Sequence, residues 1–318
     1  MPTKKIALEE AFTIEALRAD EDRMLETVTP SWGRYVNDRI FDFTGIRLDE
    51  MDSQGVDMQV LSLTSPGLQA LTDTSTAIAT ARRANEVVAE VVREYPSRFA
   101  AFAALPCQDP DAAVTELDRA VTELGLCGAL INGHTHGAYL DEQRFSGLWE
   151  LAQSLQVPIY IHPADPPEAV AACRGYPLDR ATWGWGFETG SHVLRLILSG
   201  VFDRFPHATV IVGHMGELLP FNLARLDDRY EFYVADSPLQ HPPSHYIKHN
   251  VLVTTSGVND AAALLCTQLA MGADRIMFAV DYPYQRNDEA VAFIDTAPMT
   301  DTDRELICHG NAERVLKI

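Results

Sequence analysis

The sequence predicts an α/β fold: a (β/α)8 (TIM) barrel forming one domain over residues 1–318, with lid-like insertions. Three observations predict it. Apolar runs of strand length recur eight times behind turn signals. These runs are continuously apolar rather than alternating, the mark of parallel strands covered on both faces. The segments between them carry helical periodicity, and eight such repeats fit a closed barrel better than an open doubly wound sheet.

Taken in order, the runs are KKIAL at the N-terminus, MQVLSL (58–63), RFAAFAAL (98–105), CGALIN (127–132), VPIYIH (157–162), ATVIVGH (208–214), NVLVTT (250–255) and RIMFAVD (275–281). Helices are expected at 76–95 and 109–125, the second opening on Asp109-Pro110, an N-cap followed by proline at the first helical position. Two segments break the alternation. Residues 28–43 are rich in aromatics and are expected to form a loop or short helices over the barrel mouth. Residues 163–187 form a long connection after the fifth strand, and long loops in compact domains usually carry function.

Composition narrows the function classes. A formal charge of −20 offers no basic surface for nucleic acid or anionic membranes. No GxGxxG or GxxxxGK[ST] follows a strand, so the usual nucleotide-binding readings fall away. The five cysteines are widely spaced with no CxxC pair, which fits reduced thiols in a cytoplasmic protein. No basic-then-apolar leader opens the chain and no apolar run approaches ~20 residues, so neither export nor a membrane span is expected.

In a barrel of this kind the active site lies at the C-terminal strand ends. Those ends carry Glu9, Asn132, His162, His214 with Glu217 three residues on, and Asp281. Each has a bland explanation: an ion pair for Glu9, a satisfied core histidine for His162, a glycine turn around His214, a helix cap for Asp281. Converging on one mouth, they make a mixed oxygen and nitrogen site for a divalent cation, with Glu9, His162 and Asp281 as three ligands and positions left open. A metal opposite Glu9 accounts for an acid at the end of a buried strand, and Glu10 is expected to turn away. His134 and His136 also have H-x-H spacing, but a glycine-flanked loop holds them, and they are read as loop residues.

In KIALEEAF, RLDEMDSQGVDMQVLSL, ARRANEVVAE, RFAAFAALPCQDPDAA, GALING, YIHP, VIVGHMGE, ARLDDR, TTSG, GADRIMFAVDYPY and GNAERVLKI the chain resembles the amidohydrolase superfamily. Within it the resemblance is to the aminocarboxymuconate semialdehyde decarboxylase branch, and most closely to γ-resorcylate and 2,3-dihydroxybenzoate decarboxylases. The resemblance implies one divalent ion per chain (Zn²⁺, Mn²⁺ or Mg²⁺) on Glu9, His162 and Asp281. It implies His214 and Glu217 as a pair beside the substrate, Arg225 near that pair, and Asn132 as a polar pocket residue. It also implies a homodimer or homotetramer.

One departure stands out: Ala11 occupies the place where most of the superfamily has a second histidine, and the 2,3-dihydroxybenzoate decarboxylases resemble this chain in having a small residue there. None of the four lysines lies at a strand end, so a lysine-bridged metal pair is not expected. The expected reaction is nonoxidative loss of CO₂ from an ortho-hydroxybenzoic acid, a small aromatic carboxylic acid. Asp281 is the first choice of proton donor and His214 the second, with Trp183, Phe187 and Tyr282 clamping the ring. The alternative is metal-dependent hydrolysis of a small ester, lactone or amide.

Overall fold

A computed structural model of the chain describes residues 3–168 and 170–318. Nine strand segments, all parallel to their neighbours, build two sheets: β1 (Ile6–Phe12), β2 (Met58–Leu63) and β3 (Phe99–Ala101) in one, and β4 (Ala103–Ala104), β5 (Ala129–Asn132), β6 (Ile159–His162), β7 (Val210–Val212), β8 (Val251–Thr254) and β9 (Ile276–Met277) in the other. β3 and β4 are the single run expected at 98–105, interrupted at Phe102. There the Phe102 N–H donates back to Leu61 while the Ala103 N–H donates forward to Gly128, so one run serves both sheets. The far edges meet where Leu8 bridges Ala279 in parallel and donates to Phe278 O at 3.0 Å. Eight parallel runs thus follow one another around the (β/α)8 barrel.

Alternate residues of the strands feed two cores. Ile6, Leu8, Val60, Tyr160, Ile211, Leu252 and Met277 fill one, and the outward-facing set packs against the helices. The helices at Thr74–Glu94 and Pro110–Thr122 lie where periodicity places them, and Asp109 caps the second by accepting from Asp111 and Ala112 N–H. No helix among the described residues is long and apolar enough to cross a membrane.

The adjacent acids of β1 are separated by a bulge. Between Ala7 and Glu10 the strand carries one residue more than β2, and Glu9 takes φ +64. Glu10 does turn from the mouth, but it turns into the wall, with no exposed surface. It accepts from Val280 N at 2.9 Å and Tyr282 N at 3.3 Å, groups that a regular ladder would otherwise pair. β9 ends at Met277, four residues short of the run expected to reach Asp281, because beyond it Phe278 N–H donates to Ile307 O, Ala279 N–H to Thr255 Oγ1, and those of Val280 and Tyr282 to Glu10. Burial pushes the Glu10 carboxyl up to about 8, against the pull of the two N–H groups and of Arg47.

Arg47 is itself fully buried and donates to Asp42 O, Gln59 Oε1 and Ala11 O. The insertion at 28–43 contains a helix, Pro30–Ile40, whose Val36 and Ile40 cover Ala11. A small residue at position 11 therefore lies beneath this lid helix.

Among the described residues, the connection at 163–187 holds a 3-10 turn at Ala171–Cys173 and becomes α-helical only in its last four residues. Gly184–Leu198 is a helix, so Gly184, Trp185, Gly186 and Phe187, expected in the loop, form its first turn. Two glycines in a first turn argue against helix by propensity. They are kept by close approach: a Cβ on Gly184 would meet Asp179 O at 2.3 Å, and one on Gly186 would meet Glu217 Oε2 at 3.1 Å.

Replacing Arg47 with methionine leaves three buried acceptors without their donor and Glu10 without a cation. The expected cost is about 3–5 kcal/mol of stability, read as a lowered urea midpoint. An unchanged midpoint would show that this guanidinium does not brace β1 against its neighbours.

Candidate active site

Glu9, on the β1 bulge, is only 2% exposed and sits at the centre of the strand-end cluster. Its Oε2 accepts from the Tyr160 hydroxyl and, at 3.4 Å, from Thr254 Oγ1, and those two hydroxyls are 2.9 Å apart. Its Oε1 has no hydrogen-bond partner among the described residues. His162 Nε2 lies 3.4 Å from that oxygen, while His162 Nδ1 is 2.9 Å from Pro163 O. A proton on Nδ1 satisfies the carbonyl, which leaves the Nε2 lone pair facing a carboxylate oxygen. Two electron-rich atoms aimed at one point need something positive between them. Asp281 completes the group: one donor atom from each of Glu9, His162 and Asp281 lies within 4.8 Å of the others. Oxygen-rich, carrying one neutral imidazole, with Glu9 buried and His162 and Asp281 half-buried, this set fits a hard or borderline divalent cation.

His214 stands opposite, with Nε2 3.9 Å from Glu9 Oε1 and 3.8 Å from Asp281 Oδ2, and Nδ1 2.7 Å from Glu217 Oε1. The two histidines are driven apart electrostatically. Burial holds His162 below its usual range. Burial also pulls His214 down, but the charges of Glu217 and Glu9 outweigh it and hold this imidazole well above its usual range. Burial raises the carboxyls of Glu9 and Asp281, with the histidines opposing. One imidazole thus suits ligation and the other carries a proton.

Geometry at these positions is strained. Glu9, His214, Glu217 and Asp281 all have φ between +51 and +79, a conformation costing about 1–2 kcal/mol for a residue with a Cβ. The turn after β7 runs at positive φ from His214 to Leu218, four of its five residues carrying a Cβ and Gly216 the fifth. Gly213 precedes it because a Cβ there would meet Glu9 Oε2 at 2.6 Å.

A cavity of about 250 Å³ opens on this cluster, lined by His214, Glu217, Asp281, Gln285, Trp183 and Trp185 among others, and by no lysine or arginine. Trp183, 54% exposed, stands at its rim.

Other expected pocket residues lie elsewhere. Tyr282 is fully buried in the barrel wall with the Arg47 guanidinium 4.6 Å from its ring centre, so it cannot clamp a ligand; the Glu10 bond to its N–H holds the residue turned inward. Phe187 is exposed and outside the cavity wall, because the early helix start carries it away. Asn132 is buried and spends its amide on Leu63 O and Thr64 O. Arg225, on helix Leu219–Tyr233, is exposed and makes no hydrogen bond or ion pair among the described residues. His134 and His136 bond backbone carbonyls of Asp165 and Leu71.

Tyr160, Thr254 and Trp185 were not foreseen. Tyr160 had a signal, since it is two residues from His162 on one strand and so shares its face. Trp185 Nε1 bonds Asp165 Oδ1 at 2.6 Å and its ring meets that of His162 edge-on at 6.1 Å, contacts no spacing rule reveals.

Residues 19–318 match the amidohydrolase family across nearly the whole chain. The chain belongs to the amidohydrolase family. This amidohydrolase is 38% identical to the γ-resorcylate decarboxylase of Polaromonas sp. over 324 residues, covering 99% of this chain and 98% of that one. Its fold superposes on a dihydroxybenzoic acid decarboxylase from Polaromonas sp. with bound manganese and the inhibitor 2-nitroresorcinol, at a TM-score of 0.94, 38% identity and coverage of 99% and 97%. It also superposes on the 5-carboxyvanillate decarboxylase of Sphingomonas paucimobilis, at a TM-score of 0.91, 38% identity and full coverage of both chains.

Gly213→Ala tests the tightness of this site. The new methyl meets a carboxylate that Tyr160 already fixes, so stability is expected to fall by about 1–3 kcal/mol, measured by urea unfolding. A neutral result would mean that Glu9 is free to move.

Proposed function

We propose that this amidohydrolase, a carboxy-lyase, removes CO₂ without oxidation from an ortho-hydroxybenzoic acid of the γ-resorcylate, 2,3-dihydroxybenzoate or salicylate type. The observation that carries the reading is the cavity itself. It is small beside the ~300–1,000 Å³ of most ligand sites, it suits a single ring, and among the described residues its wall has Glu217, Asp281 and His214 but no lysine or arginine. An aromatic carboxylate enters such a cavity only if a cation balances Glu9, Asp281 and Glu217.

Glu9, His162 and Asp281 would hold one divalent ion, Zn²⁺, Mn²⁺ or Mg²⁺. When bound, the ion supplies positive charge for the substrate's carboxylate and its neighbouring phenolic oxygen. Tyr160 and Thr254 fix Glu9 so that one oxygen faces the site, and the Nδ1–H bond to Pro163 O fixes the His162 ring.

Direct loss of CO₂ would leave an aryl carbanion of very high energy. Protonation of the ring carbon first avoids it, and cleavage of the C–C bond then restores aromaticity. Asp281 is assigned the proton transfer, because it stands both in the metal cluster and in the cavity wall beside His214. His214, held protonated by Glu217, is the neighbouring charge that the acid answers to. Trp183 and Trp185 flank the ring. The protein is read as cytoplasmic, consistent with free cysteines throughout the described residues, and as a homodimer or homotetramer.

The test is CO₂ release from a panel of ortho-hydroxybenzoates, with metal analysis and with chelator. One ion per chain and chelator-sensitive release are expected, with a loss of about 10²–10⁴-fold in kcat for Asp281→Asn. Bound metal with no CO₂ from any of these acids would point instead to hydrolysis of an ester, lactone or amide.

A further inference from the structure

Helix Pro243–Asn250 carries a column of imidazoles that no part of the site described so far uses. His241 precedes the helix, and His245 and His249 follow at spacings of four residues. Residues four apart lie one above the other on a helix face. Accordingly, the rings of His241 and His245 stack with centres 3.9 Å apart and planes 26° from parallel, and those of His245 and His249 at 4.0 Å and 22°. His241 and His249 are exposed and His245 is half-buried. Stacked imidazolium rings would repel one another, so the column suits neutral imidazoles, each with a free lone pair.

The column stands on a braced platform. The Asp227 carboxylate accepts from Ser244 N at 2.8 Å and from Ser244 Oγ at 2.6 Å, at the start of the helix. Tyr246 is buried, donates to Asp203 and meets the His245 ring edge-on at 5.5 Å. At the far end Asn250 donates to the carbonyls of Pro206 and Ala208, each at 3.0 Å, and Arg275 donates to the carbonyl of His249.

His249 is also turned for ligation. Its Nδ1 lies 2.6 Å from His245 O, so a proton on Nδ1 satisfies that carbonyl and leaves the Nε2 lone pair free, as the Pro163 carbonyl does for His162. Two imidazoles bound to one ion at ~2.0–2.1 Å and a tetrahedral angle place their nitrogens about 3.3 Å apart. Rings already 4.0 Å apart and nearly parallel reach that spacing by a small tilt. The partial negative charge at the C-terminal end of a helix favours a cation beside its last turn, where His249 sits.

We propose that His245 and His249 chelate a second divalent cation, of the borderline class Ni²⁺, Cu²⁺ or Zn²⁺. Paired histidines at this spacing on one helix face are a recurrent chelate for such ions. Among the described residues, Glu9, His162 and Asp281 form the group of three whose donor atoms all lie within 4.8 Å of one another. The helix site therefore takes two protein nitrogens and leaves its other positions to water, while His241 backs the His245 ring. Its donors are nitrogen alone, whereas the strand-end set is oxygen-rich, so Mn²⁺ and Mg²⁺ prefer the latter. The two sites lie at opposite ends of the barrel. The helix leads directly into the start of β8, and Thr254 at the other end of that strand reaches Glu9. Occupancy of the helix site is independent of the decarboxylase reading.

The experiment titrates Ni²⁺ into manganese-loaded protein and counts both metals per chain after equilibrium dialysis, for wild type, His245→Ala, His249→Ala and, as a control, His136→Ala. Wild type and the control are expected to hold about two ions, one manganese and one nickel, and each helix variant about one. Loss of either histidine is expected to weaken the nickel by about 100-fold or more, since the second contact of a chelate is intramolecular. Retained manganese reports an intact barrel mouth in each variant, and if one helix variant fails to fold the other carries the test. A total that stays at one ion in wild type overturns the site, whether nickel fails to bind or only displaces manganese. A nickel ion that survives in either helix variant overturns it equally.

Discussion

The arrangement depends on one buried carboxylate. Glu9 sits at the end of an apolar strand, where a lone charge would cost several kcal/mol, and its surroundings answer that cost in two ways. Tyr160 and Thr254 satisfy one oxygen. The other is left bare toward His162, Asp281 and His214. A structure that only needed to bury this acid would have paired both oxygens. Leaving one open, beside a second acid that raises its pKa further, makes sense for a cation site and for little else.

Placing Glu9 there imposes conditions on distant parts of the chain. The bulge in β1 throws Glu9 to the mouth and Glu10 into the wall, so the next strand must surrender two backbone N–H groups to a side chain. Arg47 then braces the same region from a helix nearly forty positions along, through Ala11 O. Gly213 must lack a side chain to pass the Glu9 carboxylate. Strain at Glu9, His214, Glu217 and Asp281 is borne because strands and caps on all sides over-determine these positions.

Much of this was legible in the sequence, for identifiable reasons. Continuous apolar runs give the parallel strands, and the polar residue that ends each run gives Glu9, His162, His214 and Asp281, because strand ends and barrel mouth coincide by construction. Thr254, which acts through a hydrogen bond across strands, leaves no periodic trace, whereas Tyr160 shares the strand face of His162. The misplacement of Tyr282 and Phe187 has a common cause. Both follow positions where the backbone departs from its local preference, at Asp281 with φ +79 and at the glycine-bearing helix start, and side-chain direction beyond such a point does not follow from spacing. Ala11 taught the reverse lesson: a small residue that resemblance reads as a missing ligand also has a packing reason, the lid helix above it.

The same electrostatics orders events at the mouth. With a net charge of −20 overall and three carboxylates in or beside a cavity that has no lysine or arginine in its wall, the field at the opening repels anions. On the proposed reading a cation enters first, held by Glu9, His162 and Asp281. His214, held protonated by Glu217, contributes the only other positive charge at the wall. A single charged imidazole cannot offset three acids, so the affinity of an aromatic carboxylate for this cavity depends on the cation preceding it. That dependence makes the bare oxygen of Glu9 the point from which substrate recognition begins.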